Sequence, residues 1–225
     1  MEKEDEFKVK KYVKEFATFP DITVMLLIFL LCASFTIPHI FLFGTWVALG
    51  IGMLTYATSE YVIHRFLFHI KTPENPSLLK IIKRLHYDHH VNPDDLKLLF
   101  LPLWFSIPGF IIYSIVVYVS TGSTILMMAF ATGLVAYFLY YEWKHYFAHK
   151  PIQPRTKIGK NIKKHHLLHH FKNENYWFGV THTSFDKTLG TFKESKEVEK
   201  SRTARNLENR MRTGILINNC EVPVT

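Results

Sequence analysis

Residues 98–149 read LLFLPLWFSIPGFIIYSIVVYVSTGSTILMMAFATGLVAYFLYYEWKHYFAH. No lysine or arginine occurs from residue 98 to residue 143. One crossing of a hydrocarbon core of about 30 Å takes about 20 helical residues, so the run is too long for a single span. Ser120-Thr121-Gly122-Ser123 divides it with turn-forming residues. Two spans are expected, over residues 98–119 and 124–141, and the second runs on into His145 and His149. Upstream, residues 20–59 are equally free of basic side chains. A continuous helix from residue 22 to residue 58 would be roughly 55 Å long at 1.5 Å per residue, nearly twice the membrane core. Pro38-His39 supplies the break, which gives two further spans at residues 22–37 and 40–58. The fold expected is all-α: a polytopic membrane protein with four transmembrane helices and a cytosolic helical cap.

Charge sets the expected orientation. The 225 residues are 48% hydrophobic, yet mean hydropathy is only +0.05, because apolar and charged residues are segregated. All 27 lysines and arginines lie before the first span, within residues 60–97, or after residue 143. The hairpin turns carry none, so the positive-inside rule places the three charged segments and both termini in the cytoplasm. The net charge of +8 is read as a topology signal and an attraction to anionic headgroups. A nucleic-acid partner would want a basic groove with stacking aromatics in a soluble module, and no such module is recognisable. Residues 1–21 form a cytosolic N-terminal segment. They are no cleavable signal peptide, since the apolar run starts late, is long, and is followed by another. Residues 22–192 make the membrane domain, and residues 193–225 a polar tail, read as a solvated helix or a disordered segment. Cys32 lies in a span and Cys220 in the tail, so no disulfide between them is expected.

Four histidine clusters stand at the cytosol-facing ends of the apolar runs: His64 and His69; His86, His89 and His90; His145 and His149; His166, His169 and His170. Their patterns are HxxxxH, HxxHH, HxxxH and HxxHH. Residues three and four apart share a helix face, so each HxxHH is expected to present three imidazoles together. Residues five apart on a regular helix differ by about 140°, so His64 and His69 should reach a common centre from different sides, or the helix should end between them. Imidazole suits iron, zinc, copper and nickel. Ten such ligands would serve two ions with about four to six each. His165 makes a competing register with His169, but His166 reproduces the spacing of His86, His89 and His90. His182 reads as a loop residue or one supporting the metal ligands, and His39 as a turn or interface residue. Glu60, Glu142, Asp88 and Asp186 are candidates to accept the second N–H of a metal-bound ring, against the plainer reading of solvated or ion-paired carboxylates.

The ordered set of histidine patterns resembles the fatty acid hydroxylase/sterol desaturase superfamily, and most of all its fatty acid 2-hydroxylase branch. Phe178-Gly179-Val180-Thr181, with Asp186 and Gly190-Thr191, is similar to the family's close after the last histidine cluster. The resemblance covers residues 22–192. It implies a dimetal centre held by His64, His69, His86, His89, His90, His145, His149, His166, His169 and His170. It also implies two iron ions as cofactor, with zinc possible in purified material, and O₂-dependent oxidation of a lipid or fatty acyl substrate in the membrane. Many eukaryotic members carry an N-terminal cytochrome b5-like domain. Only about twenty residues precede the first span here, so no fused domain is expected, and an external electron donor is: a cytochrome b5-type protein, or a ferredoxin with its reductase.

Three functions compete at this level. The first is 2-hydroxylation of a fatty acyl chain; the second is the same chemistry, or desaturation, on a sterol, carotenoid or other isoprenoid. The third is a metal transporter or haem protein. A transporter would set its ligands near the bilayer midplane, and a haem protein would place one axial histidine on each of two facing spans. Neither calls for ten histidines at the ends of spans.

Overall fold

Prolines and capping side chains set the helix starts. Pro20 and Pro76 occupy first-turn positions, where the missing N–H costs nothing. Asn75 caps the second of these, its side chain accepting from the amides of Ser77 and Leu78 at 2.9 and 3.1 Å. Pro102 stands extended just before another helix. In the turn that follows, Gly122 takes the left-handed conformation (φ 63°) as a C-cap and Ser123 caps the next helix.

The structure is a computed structural model that describes residues 2–209, with side chains from residue 9 onward. Among the described residues the helices are α1 (Glu2–Ala17), α2 (Pro20–Thr36), α3 (Phe43–Val62), α4 (Pro76–Ile82), α5 (Asp88–Val91) and α6 (Leu96–Leu99), then α7 (Leu103–Thr121), α8 (Thr124–His149), α9 (Lys157–Phe171) and α10 (Ser184–Thr188), with no strand. Two π-helical segments, Ile63–Phe68 and Lys83–Tyr87, follow α3 and α4 directly in the chain.

The chain forms two units. The first comprises residues 1–60 and 100–153 and contains the long helices. Three segments, Pro20–His39, Leu96–Thr121 and Thr124–His149, are long and apolar enough to cross a membrane. Helix α3 has the length, at 20 residues, but its glycines and threonines lower its hydropathy and it is not among the three. Helix boundaries depart from the expected spans for local reasons. A turn at Ile37–His39 delays α3 to Phe43. Pro102 delays α7 to Leu103 and leaves α6 as a separate short helix. Leu27, Leu30, Leu31, Ile112 and Val116 are exposed, an apolar surface suited to lipid rather than water.

Inside this unit α2 and α7 pack on α8. Thr36 and Thr132 hydrogen-bond at 2.8 Å across α2 and α8. Tyr56, Phe110, Phe138 and Tyr141 form an aromatic cluster. Helices α3 and α8 cross where glycine meets backbone. A Cβ on Gly52 would stand 2.1 Å from the Phe130 carbonyl oxygen, and one on Gly133 2.0 Å from that of Leu49. Small residues at such crossings are what allow membrane helices to approach closely.

The second unit comprises residues 61–99 and those from 154 onward. Ile82, Tyr87 and Leu207 form a small core, joined by Leu67, Ile70 and Leu79. Residues 193–209 are neither a helix nor a free tail. Val198, Ala204 and Leu207 are buried, the Ser201 amide donates to the Lys172 carbonyl at 2.8 Å, and Lys83 pairs with Glu208 at 2.6 Å. The reason is that apolar residues spaced among the charges give this strap a core to join. The part of the polar tail after residue 209, including Cys220, lies outside the described residues.

Gly133→Leu should lower stability by about 2 kcal/mol or more, the scale of overpacking at a tight contact. Gly50→Leu, where nothing lies within 4 Å of the added Cβ, should not. Thermal unfolding in detergent followed by circular dichroism checks this; equal midpoints for the two variants would contradict the crossing.

Candidate metal centre

His64 sits in the π-helical segment Ile63–Phe68, and His69 closes it. In a π-turn the backbone bond runs from i to i+5, so residues five apart come to nearly one face. The two rings lie 5.0 Å apart, centroid to centroid. The 140° of a regular helix therefore does not apply; the wider turn brings the HxxxxH pair together.

The two HxxHH patterns divide, contrary to the expectation of three imidazoles acting together. His64, His69, His86, His90 and His169 form one set, in which one nitrogen from each lies within 4.8 Å of every other. His89, His166 and His170 come together separately, with His170 ring centroids 4.7 Å from His89 and 4.6 Å from His166. Each motif gives its i and i+4 residues to one set and its i+3 residue to the other. On a helix the i+3 and i+4 side chains are about 100° apart, enough to send them to different sets. All these rings are buried. His165 turns away and packs edge-on against Phe192 at 5.0 Å. His182 packs on Phe185, and His39 meets the Phe35 carbonyl at the end of the turn after α2. His145 and His149 lie on the last turns of α8, in the first unit, with ring centroids 5.4 Å apart.

Hydrogen bonds fix which ring nitrogens face inward. Nδ1 of His64 donates to the Phe178 carbonyl at 2.6 Å, that of His90 to Ala204 at 2.7 Å, and that of His169 to Tyr176 at 2.7 Å. A neutral imidazole carries one proton, so the Nε2 of all three is an unprotonated lone pair. These converge on one another. Nε2 of His86 lies 3.2, 2.9 and 3.0 Å from those of His64, His69 and His90, and Nε2 of His69 lies 3.0 Å from that of His169. Burial lowers the pKa of His64 to about 4, against the Phe178 carbonyl, which acts to raise it. Burial, and then the neighbouring imidazoles, lower that of His86 well below its usual value. Three of the five rings are thus neutral bases with a lone pair turned inward, and the Nε2 atoms of His69 and His86 close the set around them, an arrangement that offers five nitrogen ligands to one cation. Nitrogens about 2.1 Å from a metal at right angles lie about 3.0 Å apart, whereas tetrahedral angles need about 3.4 Å. The observed edges match the right-angled case.

Two of the three carbonyls come from a strained corner. Trp177 is fully buried and takes a left-handed backbone (φ 58°), which costs a bulky residue roughly 1–3 kcal/mol. Its neighbours on either side, Tyr176 and Phe178, are the acceptors of His169 and His64. Its own amide donates to Thr191 and its indole to Lys193. The Asp186 carboxylate accepts from the amides of Phe178 and Gly179 at 2.8 and 2.9 Å and from the Thr191 hydroxyl at 2.7 Å. Of the other carboxylates, Glu142 accepts from the Leu101 amide at 3.1 Å and Asp88 faces Lys83 at 3.6 Å on the surface, while Glu60 is buried. The carbonyls of Tyr176, Phe178 and Ala204 have no side-chain signature. The Gly and Asp near Phe178 are the only letters that pointed toward them.

The model of the family described as fatty acid hydroxylase matches residues 48–191, which include all ten candidate histidines. The chain belongs to the fatty acid hydroxylase family. This hydroxylase-family chain is 37% identical to the dihydroceramide fatty acyl 2-hydroxylase FAH1 of Arabidopsis thaliana, over 66% of its own length and 62% of the relative's. It is 33% identical to the fatty acid 2-hydroxylase of Rattus norvegicus, over 68% of its length and 40% of the relative's. It therefore spans less than two thirds of the curated relatives that it matches. Its fold is also that of full-length scs7p, in which only the hydroxylase domain is visible: TM-score 0.65, 24% identity, covering 80% of this chain and 66% of that one.

The depressed histidine pKa values give a pH dependence. Below about 6.5 the unfolded chain takes up protons that folded His64 refuses until about 4, so stability falls with pH across that interval and is flat above it. Each such histidine contributes a slope of roughly 1.4 kcal/mol per pH unit. Chelator-treated protein should show its thermal midpoint falling from pH 6.5 towards pH 4, and a constant midpoint over that range would contradict neutral buried imidazoles.

Proposed function

We propose that this chain is a membrane-bound, O₂-dependent lipid hydroxylase that places a hydroxyl on C2 of a fatty acyl chain. The observation that carries the reading is the convergence of five buried imidazole Nε2 atoms, those of His64, His90 and His169 unprotonated, with edges of 2.9–3.2 Å to His86 and His69. His64, His69, His86, His90 and His169 would hold one iron ion. His89, His166 and His170 would hold the other, and the histidine pattern of the sequence assigns His145 and His149 to it as ligands as well. Iron held by such ligands supplies one-electron redox chemistry and activation of O₂. The right-angled nitrogen edges favour coordination above four, and so favour iron over tetrahedral zinc.

The protein's own part is positioning and exclusion. Carbonyls of Tyr176, Phe178 and Ala204 hold three rings in one tautomer, and Phe68 stacks on His86 at 5.2 Å. Phe178 packs against His64, His69 and His169. The aromatic packing keeps bulk water from the inward nitrogens, which protects a reactive oxidant from side reactions.

The long helices α2, α3, α7 and α8 are read as four spans, with the histidines and both termini on the cytoplasmic side. His64 lies two residues past the end of α3, roughly 3 Å along the helix. At that depth the carbonyl end of an acyl chain meets the histidines while its tail stays in the bilayer. The relatives are named for acyl 2-hydroxylation, one of them on dihydroceramide, which supports the acyl reading over a sterol or isoprenoid. The second oxygen atom of O₂ leaves as water, reduced by an external cytochrome b5-type or ferredoxin donor.

Purified protein should carry two transition-metal ions per chain by elemental analysis. His170→Ala should lose metal and activity while still inserting in the membrane. With O₂ and a donor system, mass spectrometry should find 2-hydroxy acyl products. Ring-hydroxylated sterols or carotenoids alone would move the substrate elsewhere, and a loaded, reduced protein with no oxygenated lipid would end the hydroxylase reading.

Single cysteines at Gly122 and Lys157 should label from opposite faces of a sealed membrane. Labelling of both from one face would refute four spans.

A further inference from the structure

We infer that Asp186 is a positioning residue for the first histidine set, acting on His64 through the peptide that joins Phe178 to Gly179. The inference rests on the reading of that set as a metal site.

The Gly179 N–H and the Phe178 carbonyl belong to one peptide unit. Asp186 Oδ2 accepts from that N–H at 2.9 Å, and the carbonyl at the other end of the same unit accepts from His64 Nδ1 at 2.6 Å. A carboxylate drawing on the N–H side polarises the peptide and makes its carbonyl oxygen a stronger acceptor, since hydrogen bonds in series reinforce one another. Metal-bound histidines commonly donate directly to a carboxylate, which fixes the ring and raises its basicity. Here the carboxylate is one peptide removed.

The surroundings are built to this arrangement. A Cβ on Gly179 would lie 2.0 Å from the His182 carbonyl oxygen and 2.8 Å from Asp186 Oδ2, so only glycine lets the carboxylate reach the amide. Asp186 Oδ1 accepts from the Phe178 amide and from the Thr191 hydroxyl. With its proton committed to the carboxylate, Thr191 must accept from the Tyr61 hydroxyl at 2.8 Å, and the Tyr61 oxygen accepts from Arg65 at 2.9 Å. The chain of donors thus runs one way, from a guanidinium through two hydroxyls to a buried carboxylate, and the cation compensates the charge at a distance. Asp186 is fully buried, and burial raises its pKa while these three donors act to lower it.

Asp186→Asn keeps the size but removes the negative charge that polarises the peptide, and its NH2 group must face the amide N–H of either Phe178 or Gly179. Detergent-purified protein loaded with Zn²⁺ alone and titrated with a competing chelator reads the two sites separately. Asp186→Asn should weaken one of the two sites by about 10- to 100-fold, the usual effect of removing such a partner, with helix content and the second site unchanged. Thr191→Val and Tyr61→Phe, which shorten the donor chain but keep both amide bonds, should weaken the same site several-fold. They decide the matter if Asp186→Asn does not fold. Equal weakening of both sites, or no weakening in a well-folded variant, overturns the inference. Wild-type protein that binds no metal overturns the metal reading, and the inference with it.

Discussion

Three backbone carbonyls decide which edge of three buried histidines is basic, and the second unit is arranged to hold those carbonyls still. A buried imidazole with a free choice of tautomer would turn its N–H to the nearest acceptor, including the next ring. With Nδ1 committed to Tyr176, Phe178 or Ala204, that choice is gone, and these three rings turn lone pairs inward. The left-handed Trp177, the Asp186 carboxylate and the strap of residues 193–209 all serve this constraint. The strain at Trp177 is tolerated because its ring is fully buried and its backbone and indole N–H groups are both satisfied.

Much of the site was legible because histidine is scarce and its spacing follows helix geometry. His86, His90, His166 and His170 stand four apart and were readable as shared faces. The π-turn at Ile63–Phe68 was not, since a hydrophobic or histidine period is judged against 3.6 residues per turn and the wider turn leaves no composition signal. The split of each HxxHH was also hidden. Three and four residues fall on the same broad face, and only packing shows that 100° is enough to serve two centres. Asp186 could be picked out as a carboxylate near Gly179, but its route through a peptide depends on a contact no spacing encodes.

The same limits apply to the fold. Empty charge columns and the Ser-Thr-Gly-Ser break located the long helices, whereas their ends moved with Pro102 and the turn at Ile37–His39. Residues 193–209 were misread as a tail because their charged surface dominates the composition. Their contribution is made by main chain, above all the Ala204 carbonyl, and by a few buried apolar side chains that a charge-dense window conceals.

The sharing of each HxxHH between two sets makes these helices behave like keyed shafts. Their screw sense, rather than any loop, fixes how the rings are divided between the two sets. Adding or deleting one residue in α9 just before His166 would turn the motif by about 100° and carry both contributions out of line in one movement. Neither histidine set can therefore be shifted by sliding a helix without disturbing the other.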